Sequence, residues 1–281
     1  MGLVRKMVRF GLPYVPTLFF AYIVSNADRF AILYFGALAS LGVLSLASKI
    51  GEMALMVFTA PVESVWSPFA FRVHAEPDGA QKIGALYTRY TALCVLLALG
   101  VSLAAPLAVR LLAEDSYAEA SDLVPIVAFG WVFNVLAALS DIGILIAKKT
   151  YLKPRVSGAA AVLALLLQLL LTPRYGIYGA AVATALTQAA ILMINRTVAS
   201  RLYKMGTRQR DFLIIAVMAG VAFLVGHAII QRVPTVLGTL LGTAAGSAIY
   251  VGAVLLGGIV SLAELRGIAV KLGAGKLAFW R

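Results

Sequence analysis

The chain has 281 residues, of which 62% are hydrophobic and only 13% charged, and its mean hydropathy is +0.94. A soluble domain needs roughly twice that charge to cover its surface, so a soluble fold is excluded. Lysine and arginine number 24 against 12 acidic residues, a balance that in a soluble protein would point to nucleic acid and in a membrane protein reports topology.

Eight apolar spans follow in chain order, at about 11–34, 41–66, 83–109, 123–147, 155–172, 177–195, 211–231 and 234–262. Stretches of about 17 to 25 apolar residues without strict alternation are lengths for membrane helices and not for barrel strands. The fold class is therefore all-α: a polytopic membrane helix bundle of about eight transmembrane helices. Turn signals divide the spans at Gly42, at Glu76-Pro77-Asp78-Gly79, at Pro173-Arg174-Tyr175-Gly176 and at Arg232-Val233-Pro234. Residues 1–27 resemble a signal peptide in outline, but Pro13, Pro16 and the seven later spans favour a retained first helix.

The loop charges fix an orientation. With the amino terminus in the cytoplasm, the inner segments collect Arg5, Lys6, Arg9; Arg72, Lys82, Arg89; Lys148, Lys149, Lys153, Arg155; Arg196, Arg201, Lys204, Arg208, Arg210; and Arg266, Lys271, Lys276, Arg281. The outer loops keep only Arg110, Arg174 and Arg232, while Arg29 and Lys49 fall within spans. A missed helix would invert every later loop and destroy that asymmetry. Both termini are expected in the cytoplasm.

Two faces of small residues point to close helix packing: Gly238, Gly242 and Gly246 in the last span, and Gly176, Gly179, Ala180, Ala183 and Thr184 in the sixth. Pro61 and Pro68 should bend the second span, which at 1.5 Å per residue reaches roughly 45 Å over 41–71 and must tilt or protrude.

Six ionisable residues lie within or at the edges of spans: Asp28, Arg29, Lys49, Glu52, Glu63 and Asp141. Each costs a few kcal/mol at mid-membrane unless paired or wetted. If the first two spans form a hairpin, Asp28–Lys49 and Arg29–Glu52 pairs are geometrically open, and Lys49 and Glu52, three apart, could pair locally. One reading makes the four a packing lock. The other makes Arg29 and Lys49 substrate-binding cations in a wet cavity, with Asp28 and Glu52 as their charge partners. Glu63 and Asp141 are candidate coupling residues or members of the cavity rim, and Asn134 and Gln168 add polarity of the helix-gluing kind.

No chemistry is legible. Cys94 is the only cysteine, and His74 and His227 stand far apart with no acidic cluster, so neither a metal nor a cofactor is expected. Phosphate loops and nucleophile elbows are missing from the sequence, and the chain reads as no enzyme.

Several runs carry a resemblance. Phe10-Gly11-Leu12-Pro13-Tyr14-Val15-Pro16 followed by Asp28-Arg29, then Ala47-Ser48-Lys49-Ile50 and Trp66-Ser67-Pro68-Phe69-Ala70, resemble polysaccharide flippases of the multidrug/oligosaccharidyl-lipid/polysaccharide exporter superfamily. The likeness continues through Tyr117-Ala118-Glu119-Ala120 with Pro125, through Lys148-Lys149-Thr150, and through the most specific run, Pro173 to Thr184. It implies flipping of a polyprenyl-diphosphate-linked oligosaccharide across the bacterial inner membrane, with Arg29 and less surely Lys49 meeting the diphosphate or acidic sugars. It further implies that residues 1–205 are a carboxy-terminal-type six-helix lobe and 206–281 an additional helix pair with a basic tail. Family members enclose their cavity between two lobes, so the resemblance implies a truncated product, a separately encoded amino-terminal lobe as partner, or a second copy. The lipid-linked oligosaccharide and membrane lipids are the other expected partners, and nucleic acid is not one. The alternatives are a cation-coupled small-molecule exporter of the same superfamily, which an aromatic and Met-lined cavity would favour, and a non-transporting membrane scaffold. A membrane glycosyltransferase is the weakest.

Overall fold

The computed structural model describes residues 15–35, 38–233 and 235–260, and among these every regular element is helical. In chain order they are α1 (Val15–Phe35), α2 (Leu38–Val73), α3 (Gly79–Leu112), a 3-10 turn at Asp115–Tyr117, α4 (Ala120–Ser140), a short α5 (Ile142–Ile146), α6 (Leu152–Leu202), α7 (Gln209–Arg232) and α8 (Val236–Leu256). Seven elements among the described residues are long and apolar enough to cross a membrane. Most of the amino-terminal motif, from Phe10 to Tyr14, lies outside the described residues, as do Arg5, Lys6, Arg9, Pro234 and the basic tail from Arg266 to Arg281.

The 51-residue α6 holds two of the expected spans. Its helix breaks at Gly176, with φ 58° and ψ −134°, a conformation that a side chain rarely tolerates. There the chain folds back on itself. Gln168 Nε2 on the first arm donates to the Ala180 carbonyl and to Thr184 Oγ1 on the second, each at 3.1 Å, contacts that no straight helix allows at separations of 12 and 16 residues. Gly179 seats the turn, since a Cβ there would stand 2.3 Å from the Leu171 carbonyl oxygen. The turn signal at 173–176 is thus a helical hairpin, which divides the longest of the seven elements into two arms and gives eight membrane-length segments among the described residues.

Helix α2 runs unbroken through Pro61 and Pro68. Side chains supply donors near them: Ser64 Oγ donates to the Pro61 carbonyl at 2.7 Å, and Tyr90 OH to the Thr59 carbonyl at 3.3 Å. The turn after α2 is clasped by Lys82, which binds Glu76 at 2.6 Å and Asp78 at 3.1 Å.

Helix α8 packs along α7 and α3 through the predicted glycine face. A Cβ on Gly242 would meet the Gly226 carbonyl oxygen at 2.6 Å, and one on Gly246 would meet Leu103 of α3 at 2.7 Å. Tyr250 OH donates to the Ala92 carbonyl at 3.1 Å and pins the same face to α3. The buried core extends from Leu55 and Trp66 of α2 through Leu99 and Leu103 of α3 to Tyr250 and Val254 of α8, so the last two helices join it.

Helices α1 and α2 are splayed apart. Helix α1 packs chiefly on α6, whereas α2 packs on α4 and α3, and the two barely touch. Ala27 of α1 sits in a buried cluster with Ala160, Ala161 and Ala164 of α6, while Leu44 and Ala47 of α2 meet Leu123 and Val124 of α4. A cleft opens between them.

Candidate functional site: a polar cavity between the first two helices

Four helices each turn one face to this cleft, which encloses a cavity of about 360 Å³. Ser25, Asn26, Asp28 and Arg29 come from α1; Leu44, Ser48 and Glu52 from α2; Val127, Gly130, Trp131 and Asn134 from α4; Ala181, Thr184, Ala185 and Gln188 from the second arm of α6. Within each helix the spacing is three or four residues, the repeat of one helical face. These are inner faces of membrane-length helices, yet they carry two carboxylates, a guanidinium, three amides and three hydroxyls.

Fixed partners hold part of the lining. Asn134 Nδ2 donates to Gln188 Oε1 at 3.2 Å, joining α4 to α6. Such a bond between membrane helices contributes on the order of 1 kcal/mol. Gln168 and Thr172 extend the network behind Thr184, with Thr172 Oγ1 donating to Gln168 Oε1 at 2.7 Å. The indole N–H of Trp131 is shielded and has no acceptor among the described residues. Opposite, α4 and α6 cross at van der Waals range. A Cβ on Gly130 would lie 3.3 Å from the Ala185 Cα, and only a small residue permits that approach. The crossing separates the polar cavity from a larger apolar one, about 620 Å³, lined by Phe129, Phe133, Phe212 and Phe223 among others.

The four predicted charges are not locked together. Asp28 Oδ1 accepts a hydrogen bond from the Arg29 backbone N–H at 2.8 Å. Neither Asp28–Lys49 nor Arg29–Glu52 nor Lys49–Glu52 forms an ion pair among the described residues. The reason is the splay: the pairs presuppose α1 and α2 in contact, and each packs on a different neighbour. Asp28, Arg29 and Glu52 do share the cavity. Lys49 does not line it; one residue beyond Ser48, it turns about 100° away and is exposed on the outer face of α2. Arg29 lines the cavity and is exposed at its mouth. A basic side chain at the centre of a membrane helix costs about 2.5–3.5 kcal/mol if it faces lipid, so the mouth must be wet or covered by protein.

The two candidate coupling residues lie elsewhere. Glu63 is exposed on α2, four residues past Thr59. Asp141 ends α4, where its carboxylate pairs with Lys153 at the start of α6. That end of the bundle is heavily braced. Trp66 Nε1 donates to the Leu139 carbonyl at 3.0 Å, Tyr87 OH lies 3.0 Å from Ser140 Oγ, and Asn195 Nδ2 donates to the Ala137 carbonyl at 3.3 Å. Arg196 sits 4.1 Å from the Phe212 ring centroid and donates to Thr207 at 3.0 Å. Asp141 and Lys153 thus join a bracing network outside the cavity lining.

Sequence reading missed Trp131, Thr184 and Gln188 as cavity residues. The signal was present: 181, 184, 185 and 188 repeat at helical spacing and end on a glutamine, and 127, 130, 131 and 134 do the same and end on an asparagine. Neither face could be given a partner without knowing that α4 and the second arm of α6 cross.

A bundle of membrane-length helices around a polar pocket defines a multi-pass membrane protein. Residues 1–122, which supply α1, α2 and α3, match a family model described as polysaccharide biosynthesis protein. The match supports the resemblance to the polysaccharide flippase family and with it a role in polysaccharide synthesis or export. No curated protein and no solved structure matches the chain.

Proposed function

We propose that the protein flips or exports a polyprenyl-diphosphate-linked oligosaccharide across the bacterial inner membrane, with the α1–α2–α4–α6 cavity as its site for the polar head. The observation that carries this reading is a guanidinium, Arg29, without an ion-pair partner among the described residues, at the mouth of a polar cavity inside a membrane bundle. A guanidinium presents a fork of donors suited to phosphate oxygens. Behind it, Asp28, Glu52, Asn134 and Gln188 offer the acceptors and donors that sugar hydroxyls require. Lys49, on the outer rim, adds positive charge near the mouth without reaching the lining.

The polar cavity contains one aromatic residue, Trp131, and no methionine, whereas an apolar drug site would be mainly hydrophobic and aromatic; the larger cavity lined by Phe129, Phe133, Phe212 and Phe223 is the one that favours the small-molecule exporter as the second reading. The basic loops Lys148–Lys149 and Arg201–Arg210 support a cytoplasmic placement of that end by the positive-inside rule.

The test is Arg29→Ala in cells that depend on this protein for surface glycan. Surface glycan should fall at least about tenfold, the loss expected when a charge-assisted hydrogen bond to phosphate disappears, while protein abundance in the membrane stays normal. Arg29→Lys should restore part of it. Unchanged glycan in Arg29→Ala would remove Arg29 from the site.

A further inference from the structure

Helix α7 stands away from two of its neighbours. It packs on α8 and α3 but barely touches α4 or α6. The gap is the larger apolar cavity, about 620 Å³. On α7 its lining extends from Phe212 to Phe223, and on α4 from Leu136 to Pro125. At about 1.5 Å per residue each stretch is roughly 16 Å long, about half the hydrocarbon thickness of a bilayer. Small residues make the trough: Ala216, Ala219 and Gly220 line it between the two phenylalanines. Ala216 and Gly220 are exposed, and a Cβ on Gly220 would meet nothing within 4 Å. The groove is therefore as long as one leaflet and open along its side. Apolar walls without partner atoms forfeit dispersion contact, which a hydrocarbon chain from the bilayer restores.

The foot of the groove carries charge. Arg196 of α6 lies 4.1 Å from the ring centroid of Phe212, which closes the lower end together with Leu136 and Leu192. Arg196 donates from Nη2 to Thr207 at 3.0 Å and forms no ion pair among the described residues. Lys204, Arg208 and Arg210 are exposed on the adjoining segment, and Asp211 is the only acidic residue between Ile142 and Arg232. The positive-inside rule accounts for cations in a cytoplasmic loop. It does not account for a half-buried guanidinium inside α6, set against the last ring of an apolar groove. A lipid whose head sits in the polar cavity cannot reach this groove directly, because α4 and α6 cross between them at Gly130 and Ala185. The groove calls for a ligand of its own.

We propose that the groove between α7 and the α4/α6 wall binds an anionic glycerophospholipid of the cytoplasmic leaflet. One acyl chain lies along Ala216 and Gly220, and the phosphate meets Arg196, with Lys204, Arg208 and Arg210 around the headgroup. Guanidinium donors suit phosphate oxygens, and a cluster of cations just below an apolar groove selects an anionic head over a zwitterionic one. The lipid joins α7 to α4 and α6, where the protein makes almost no contact of its own, and so ties the last helix pair to the rest of the bundle. The inference is independent of the transport reading.

Native mass spectrometry of the purified full chain, titrated with phosphatidylglycerol or with phosphatidylcholine of the same acyl chains, tests it. Wild type should retain phosphatidylglycerol in preference to phosphatidylcholine. Gly220→Leu places a side chain in the trough without a clash and should abolish that retention. Arg208→Gln and Arg210→Gln should each weaken it about fivefold, the effect of one cation near an anionic headgroup. Arg196→Gln should remove the preference for the anionic lipid, and Arg196→Lys should keep part of it. Arg29→Ala, in the other cavity, should change nothing. Thermal unfolding in phosphatidylcholine alone checks that each variant is folded. Equal retention of the two lipids by wild type, or retention of phosphatidylglycerol by a folded Gly220→Leu variant, would overturn the proposal. So would displacement of phosphatidylglycerol by an equimolar polyprenyl phosphate, which would give the groove to the transported lipid. Displacement by an equimolar neutral apolar solute would overturn it too and make the groove a small-molecule site.

Discussion

Gly176→Ala isolates the cost of the fold-back in α6. At this position the backbone has φ 58° and ψ −134°, and a Cβ would meet nothing within 4 Å. No steric clash with the rest of the protein therefore enters, and the whole effect is backbone strain, on the order of 1–3 kcal/mol for a residue held in so sparse a region. The arms can relieve it only by opening, which would stretch the two bonds from Gln168 to Ala180 and Thr184, both 3.1 Å. Gly220 is the internal control: it lies within helix α7 and also has nothing within 4 Å of a built Cβ. Alanine there should be neutral or stabilise by up to about 1 kcal/mol through helix propensity. Reversible unfolding in mixed micelles, followed by circular dichroism, measures both. If Gly176→Ala matches Gly220→Ala within about 0.5 kcal/mol, the account of a glycine-only turn is refuted, since that gap is smaller than the least strain expected.

Two further outcomes follow from the packing. Gly242→Val should loosen the α7–α8 pair by about 1–3 kcal/mol through overpacking, because its Cβ already falls 2.6 Å from the Gly226 carbonyl oxygen; the same unfolding assay reads it, and a neutral result would mean the helices separate freely. Asp141→Ala should destabilise by about 3–5 kcal/mol by breaking the largely buried Asp141–Lys153 ion pair. Asp141→Leu combined with Lys153→Met should recover most of that loss. If the double substitution costs the sum of the singles, the pair is not a coupled unit.

How much of this was legible in the sequence differs between the fold and the site. Span positions were readable because lipid demands about 20 apolar residues per crossing and leaves charge for the loops. The reversal at Gly176 was readable too, since Pro173 and Gly176 between apolar runs can only mark a turn. Asp28, Arg29 and Glu52 could be singled out because charge within a span is expensive. Their arrangement could not, because pairing depends on which helices touch.

The sequence alone therefore determined that there are eight apolar segments of membrane-crossing length and that a few charges lie among them, because both follow from local transfer energies. Only the tertiary structure decided that α1 leans on α6 and α2 on α4, and so chose the cleft over the packing lock that a closed hairpin would make. That choice rests on small residues far apart in sequence. Ala27 meets Ala160, Ala161 and Ala164, and Gly130 meets Ala185. Close backbone approach is a property of two surfaces together, which no single helix carries in its own sequence.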